Sequence, residues 1–184
     1  RDTIEDAGDG PRRARAQTRQ IATSQGQSGG RCSATTAHGG ARCTRTPIRA
    51  CFICAEYAPY AKTGGLGDVA AALTAELTRA GHEVLSFIPL HGQINFRGAR
   101  VEPVETLQRL TLAIGAREFV YDVKCARRPG AAAAVHLIDC PALSDRRLLC
   151  SDGPDGHLRY LMLARAALEC CQRLGFAPDI VHCN

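Results

Sequence analysis

The chain has 184 residues, of which 23 are basic and 18 are acidic. Its net charge of +5 lies in residues 1–49, which hold nine arginines and four acidic residues, so residues 50–184 are neutral. A neutral folded part argues against a nucleic-acid-binding protein, since such a protein needs positive charge on a structured face.

Residues 1–47 form an Arg-, Ser- and Gly-rich leader without an apolar run long enough for a signal peptide or a membrane span. We expect the leader to be disordered, because it cannot bury enough apolar surface to offset ordering. Its acid-poor stretch after Pro11 fits an organelle transit peptide. The four acidic residues from Asp2 to Asp9 and the missing initiator methionine fit an arbitrary extension instead. We therefore expect a cytoplasmic protein with no membrane partner, and the alternative is a plastid protein if the leader is a transit peptide.

The first folded unit is predicted to be a strand, a helix and a second strand. The apolar run Ile48–Ala55 predicts a buried strand, and Val84–Pro89 predicts the next one. Between them, Val69–Ala80 predicts a helix that ends before Gly81. Its apolar residues recur at three- and four-residue steps, at Leu66, Val69, Leu73, Leu77 and Ala80. Such a βαβ unit has parallel strands.

Strand-like segments follow one another without a helix beyond residue 100. Three segments, Leu107–Ile114, Glu118–Lys124 and Val135–Ile138, predict an antiparallel hairpin insert. The remaining segments are predicted to be a loop at Asp139–Gly156, a helix at His157–Leu174 and a buried strand at Asp179–Cys183. The predicted fold class is therefore α/β, with a partial Rossmann-like parallel sheet that carries this insert.

The ten cysteines have no spacing that indicates a metal site. Cys51 and Cys54 have the C-x-x-C spacing, but they lie in a predicted strand, where residues three apart point to opposite faces. We expect reduced cysteines that act as small core residues. Reduced thiols are typical of the cytosol or a plastid stroma.

The segment Lys62-Thr63-Gly64-Gly65-Leu66-Gly67-Asp68-Val69 joins the first strand to the first helix. Glycines let the backbone approach a ligand closely, and a helix N-terminus offers free N–H groups and a partial positive charge. Lys62 adds a full charge beside them. The spacing is neither that of a Walker A loop nor that of a dinucleotide fingerprint. The segment therefore predicts a site for a nucleotide, or for a sugar carried on one.

Together with Cys54-Ala55-Glu56-Tyr57-Ala58-Pro59-Tyr60-Ala61, this segment resembles the N-terminal signature of bacterial glycogen synthases and plant starch synthases. The resemblance continues in Leu137–Pro141 followed by Asp145-Arg146, and in Asp155 with Arg159 and Tyr160, although Gly156 replaces the usual Asn. It ends in Pro178–His182. It covers essentially all of residues 48–184.

The resemblance implies a retaining glucosyltransferase with two facing Rossmann-like domains, the GT-B fold. Such enzymes transfer glucose from ADP-glucose, sometimes UDP-glucose, to the non-reducing end of an α-1,4-glucan, and they need no metal or other cofactor. Residues 48–184 would be part of the first domain, and the chain would be inactive alone. The alternative is a non-catalytic nucleotide-sugar- or glucan-binding module.

The resemblance also implies a set of substrate-binding residues, none of them catalytic: Glu56, Lys62, Thr63, Gly64, Gly65, Asp68, Asp155 and His182. The alternative for Glu56 is a solvated carboxylate at the end of a strand. Asp68 has an equally good structural role at the helix N-terminus, where its charge suits the macrodipole. A lone histidine such as His182 is more often structural than a cleft residue.

Overall fold

The computed structural model describes residues 46–92, 94–144 and 156–184. Most of the predicted leader lies outside these ranges, as do Asp145, Arg146 and Asp155. The expectations for those residues therefore stay predictions. In the described part of the chain, no helix combines the length and the apolar character needed to cross a membrane.

The described residues form a sheet with helices on both faces. The strands are β1 (Arg49–Ile53), β2 (Glu83–Pro89), β3 (Arg100–Pro103), β4 (Leu110–Ile114), β5 (Arg117–Arg127), β6 (Val135–Asp139) and β7 (Ile180–Cys183). The helices are α1 (Gly65–Arg79), α2 (Pro141–Ser144) and α3 (Gly156–Arg173), with a 3-10 turn at Glu105–Leu107.

The strand order is β3-β5-β6-β2-β1-β7, with β4 paired to β5. The pairs β1–β2, β1–β7 and β2–β6 are parallel, which confirms the predicted βαβ unit. Strand β5 is antiparallel to β3, β4 and β6, which confirms the predicted hairpin insert. The carboxyl ends of four parallel strands therefore meet at one edge, the position at which open α/β sheets bind ligands.

Alternation along β1 divides the core into two parts. Cys51 and Ile53 belong to the cluster that includes Met162 of α3, whereas Phe52 and Cys54 belong to the cluster that includes Ala70 of α1. Cys51 and Cys54 thus lie on opposite faces of the sheet, as predicted from the period of two.

Helix α1 begins at Gly65, four residues before the predicted Val69. Val69, which the apolar periodicity places on one face with Leu66 and Leu73, is 55% exposed. The buried residues of α1 are Gly67, Ala70 and Thr74. The reason is close packing: a Cβ placed on Gly67 would lie only 3.1 Å from the carbonyl oxygen of Ala61, so the helix approaches the preceding loop through its smallest residue.

Several boundaries in the insert also differ from the prediction. The edge strand β3 was not predicted, because it is short, mostly exposed and contains Pro103. Leu107 lies in the 3-10 turn, so β4 begins only at Leu110. Strand β5 extends to Arg127 rather than Lys124, because β3 and β6 pair with its last residues. Helix α2 lies within the segment predicted as a loop.

Candidate functional site

The segment between β1 and α1 is a closed loop at the carboxyl edge of the sheet. Tyr57 and Ala61 exchange backbone hydrogen bonds, with N···O distances of 2.9 and 3.0 Å. The amide of Ala58 donates to the carbonyl oxygen of Gly67 at 2.9 Å, which ties the loop to the first turn of α1. The amide of Asn95 donates to the carbonyl oxygen of Tyr60 at 2.8 Å. The chain that leads into the glycine pair is therefore held on both sides.

Glu56 is the carboxylate around which this loop is organised. Its side chain accepts hydrogen bonds from the amide of Thr63 at 3.0 Å, from the amide of Gly64 at 3.4 Å and from the Thr63 hydroxyl. Glu56 is only 5% exposed, so it is not the solvated strand-end carboxylate considered above. It supplies acceptors to the N–H groups of the two residues that precede α1 and so holds the loop that leads into the helix.

The pKa of Glu56 reflects two opposing effects. Burial raises the pKa, but the hydrogen bonds from Thr63, Gly64 and Gly67 favour the charged form and together hold it below its ordinary value of 4.5. A carboxyl whose pKa is lower in the folded state stabilises the fold above its unfolded pKa. That contribution is lost as the pH falls below about 4.5 through the folded-state value.

Glu56→Gln is therefore expected to destabilise the chain at neutral pH. A neutral amide gives up charge-assisted hydrogen bonds, each worth about 1.5–3 kcal/mol. Urea unfolding at pH 7 measures the cost, and repeating it below pH 4.5 should show a smaller difference from the unmodified chain. Glu76→Gln is the matched control, since Glu76 is an exposed α1 residue in an i,i+3 pair with Arg79. Equal effects of the two substitutions would contradict the role of Glu56 in holding the loop.

Lys62 and Asp68 form an ion pair across the glycine segment. The Lys62 Nζ and Asp68 Oδ2 atoms are 2.7 Å apart, and the two side chains are 48% and 57% exposed. Asp68 lies in the first turn of α1, where its charge is favourable at the positive end of the helix dipole. The pair therefore places a cation beside the N–H groups at the helix start.

Packing within the protein does not require glycine at Gly64 and Gly65. A Cβ placed on either residue would meet nothing within 4 Å, and neither residue has a positive φ. Gly64 is the extended N-cap of α1 and provides no side-chain cap. The space at the glycine pair is open and lies at the N-terminus of α1, an arrangement suited to an anionic ligand.

The remaining predicted site residues do not all lie at the glycine loop. Thr63 belongs to the Glu56 group through its amide and hydroxyl. His182 is at the end of β7, and its ring stacks on Phe52 of β1 at a centroid distance of 4.6 Å. Its described contact is thus with the neighbouring strand, not with the glycine loop. Asp155 lies outside the described residues.

The sequence analysis did not single out His91. It follows β2 at the carboxyl edge, is 5% exposed, and its Nε2 lies 3.4 Å from the carbonyl oxygen of Ala55. Burial lowers the pKa of His91, and the charge of Arg159 acts in the same direction. His91 and Arg159 line one small cavity with Pro89 of β2. The sequence signal that could have pointed to His91 is its position, two residues after a predicted parallel strand.

The described residues of the loop and of its surroundings offer no metal site. Among the residues that the structure describes, no three His, Cys, Asp or Glu side chains come together as metal ligands. The described cysteines are all free. What the loop offers a ligand is a cation, helix N–H groups and open space.

A parallel α/β sheet with a glycine-containing strand–helix loop at its carboxyl edge is the architecture of a Rossmann-like half of the GT-B type of glycosyltransferase. The chain belongs to the family of starch synthase catalytic domains, whose model matches residues 49–184. This match confirms the family resemblance predicted from the motifs.

The similar proteins include bacterial and plant enzymes. The chain is 41% identical to the glycogen synthase of Anaeromyxobacter dehalogenans over 138 residues, which are 72% of this chain and 27% of that protein. It is 32% identical to the glycogen synthase of Photobacterium profundum over 145 residues, 77% of this chain and 28% of that protein.

A solved structure with the same fold is the catalytic domain of starch synthase IV from Arabidopsis thaliana, bound to ADP and acarbose. The two share 29% identity with a TM-score of 0.65, over 75% of this chain and 28% of the other. The chain therefore spans little more than a quarter of the length of the relatives it matches.

Proposed function

We propose that this chain supplies the donor-phosphate loop of a glucosyltransferase that elongates an α-1,4-glucan from ADP-glucose with retention of configuration. The observation that carries the proposal is the geometry of residues 62–68. An exposed ammonium, an unobstructed glycine pair and a helix N-terminus converge at the carboxyl edge of a parallel sheet. Together they suit the diphosphate of a nucleotide-sugar.

The loop meets the main electrostatic requirement of the reaction. When the glycosidic bond breaks, negative charge grows on the departing nucleoside diphosphate. An enzyme that uses no metal must stabilise that charge with cations and oriented N–H groups. Lys62 and the first turn of α1 are the groups that this chain contributes. Glu56 takes no part in the chemistry and keeps the loop in shape.

The same groups explain why this segment needs the rest of a synthase. The side chains of the loop carry one positive charge, on Lys62, and negative charges on Glu56 and Asp68. A diphosphate carries several negative charges, so cations from outside the loop are needed to balance it. The exposed apolar strand β7, with Ile180 and Val181 at 48% and 45% exposure, supports further pairing at this edge of the sheet.

The choice of donor and the cellular location belong to the same proposal. ADP in the similar Arabidopsis structure supports ADP-glucose rather than UDP-glucose as the donor. The free cysteines of the described residues support a reducing compartment, the cytoplasm.

We expect a complete enzyme that carries these residues to have a higher kcat/KM with ADP-glucose than with UDP-glucose. The reverse order would contradict the donor assignment alone.

The isolated chain is expected to transfer no glucose. The measurement is incorporation of radiolabelled glucose from ADP-glucose into glycogen by the chain of 184 residues. The matched test is a chimera in which residues 49–184 replace the corresponding segment of the Anaeromyxobacter dehalogenans glycogen synthase, and this chimera should be active. Glucose transfer by the isolated chain would contradict the proposal, because it would show that the chain holds the catalytic groups by itself. A folded chimera that binds ADP-glucose without turnover would favour the binding module.

A further inference from the structure

Lysine is rare in this chain, and both lysines are paired with an aspartate. Of the 23 basic residues, 21 are arginines and only Lys62 and Lys124 are lysines. Lys62 Nζ lies 2.7 Å from Asp68 Oδ2, and Lys124 Nζ lies 2.8 Å from Asp139 Oδ2. The second pair joins β5 to β6, and neither of its residues belongs to the glycine segment. It is a natural internal control for the first.

The Lys62–Asp68 pair offsets an unfavourable position of the Lys62 ammonium near the start of α1. The N-terminus of a helix carries partial positive charge and repels a nearby ammonium. A free lysine side chain also has many rotamers and solvates readily in water. Asp68 lies one turn into α1 and draws the ammonium back over the helix start. Since both side chains are about half exposed, the pair adds little to stability. Its effect is on the position of the Lys62 ammonium.

We propose that Asp68 is a positioning residue for donor binding, which acts by holding the Lys62 ammonium at the glycine loop and makes no contact with the donor itself. This inference rests on the proposed function of the loop. It assigns Asp68 a role distinct from the substrate contact expected from the family resemblance. The ammonium, held in place before the donor arrives, loses less side-chain freedom when the diphosphate binds.

The direction in which removal of Asp68 changes donor binding distinguishes positioning of Lys62 from simple long-range electrostatics. Asp68 is an anion beside the place where an anionic ligand would bind. If only long-range charge mattered, removing that anion would tighten donor binding. If Asp68 positions Lys62, removing it releases the ammonium and weakens donor binding. The two mechanisms therefore predict opposite changes in the KM for ADP-glucose.

The kinetic experiment uses the active chimera with Asp68→Asn, Asp68→Glu and Lys62→Ala, alone and combined. We expect Asp68→Asn to raise the donor KM about twofold to fivefold, the range of an exposed ion pair, with kcat little changed. Asp68→Glu should restore most of the affinity. In the Lys62→Ala background, Asp68→Asn should have almost no further effect on the donor KM, since residues that act as one unit are not additive.

A spectroscopic experiment tests the pairing on the chain itself. Lysine-selective 15Nζ labelling of the 184-residue chain gives two ammonium signals, one from each lysine. Asp68→Asn should move the Lys62 signal towards that of a freely solvated lysine and leave the Lys124 signal unchanged. Asp139→Asn should do the reverse. An unchanged Lys62 signal in Asp68→Asn would overturn the pairing.

The outcomes separate this inference from the function on which it rests. If Lys62→Ala weakens donor use and Asp68→Asn does not, or if Asp68→Asn lowers the donor KM, the positioning role is wrong and the proposed function stands. If Asp68→Asn is equally harmful with and without Lys62, Asp68 acts directly. If Lys62→Ala leaves donor kinetics unchanged, both the loop function and the positioning role are wrong.

Discussion

Lys62→Ala is expected to lower kcat/KM for ADP-glucose about tenfold to a hundredfold, the loss of a charge-assisted contact worth roughly 1.5–3 kcal/mol. The reason is the placement of its ammonium, which lies beside the N–H groups at the start of α1 and is 2.7 Å from Asp68 Oδ2. The glucan KM should change little, because the lost contact is with the donor. Initial rates of the active chimera, measured against both substrates, check this expectation.

Two controls make the Lys62 result specific. Lys62→Arg should recover only part of the activity, since a planar guanidinium does not reproduce a compact ammonium. Lys124→Ala also removes a lysine paired with an aspartate, but between β5 and β6, and it should leave the donor KM unchanged. If Lys62→Ala retains full donor kinetics in a folded enzyme, the glycine segment is only a turn and the central proposal fails.

Gly65→Val is expected to be at least as harmful to donor use as Lys62→Ala. A Cβ at this position meets no protein atom within 4 Å and the residue has no positive φ, so the fold should tolerate the substitution. The valine side chain would instead fill the space in which the proposed diphosphate approaches the helix N-terminus. Displacing a reacting group by about 1 Å costs on the order of a hundredfold in rate.

Gly67→Val provides the contrast, because this glycine is required by packing. A Cβ there would lie 3.1 Å from the Ala61 carbonyl oxygen and 3.3 Å from the Ala58 amide nitrogen. We expect Gly67→Val to lower the midpoint of thermal unfolding clearly and Gly65→Val to leave it nearly unchanged. Loss of stability in Gly65→Val, or normal donor kinetics in that variant, would show that Gly65 does not face the ligand.

Much of the fold was predictable because it depends on local patterns. The βαβ unit follows from an apolar run, a three-to-four-residue periodicity that ends at Gly81, and a second apolar run. The hairpin insert follows from strand-like segments with no intervening helix, and Gly115-Ala116 forms its turn. The opposite faces of Cys51 and Cys54 follow from the period of two alone.

The parts that were predicted wrongly depend on contacts between segments. Val69 fits the apolar periodicity of α1, yet it is exposed because the loop packs against Gly67 and fixes the rotation of the helix. Strand β3 has little local strand character, and it is a strand because β5 offers it backbone partners. His91, which the sequence analysis did not single out, lines a small cavity with Arg159, which is 68 positions away in the sequence.

For the candidate site, the sequence by itself determined which segment holds the charge and the glycines. The order Lys62-Thr63-Gly64-Gly65 between a strand and a helix is a local property, because it depends on residue type and spacing. Only the tertiary structure decided what each polar side chain does. In the folded chain the Glu56 carboxylate accepts hydrogen bonds from the loop, and Asp68 pairs with Lys62. Hydrogen-bond partners are set by how the folded chain returns upon itself, and residue spacing alone does not contain that information.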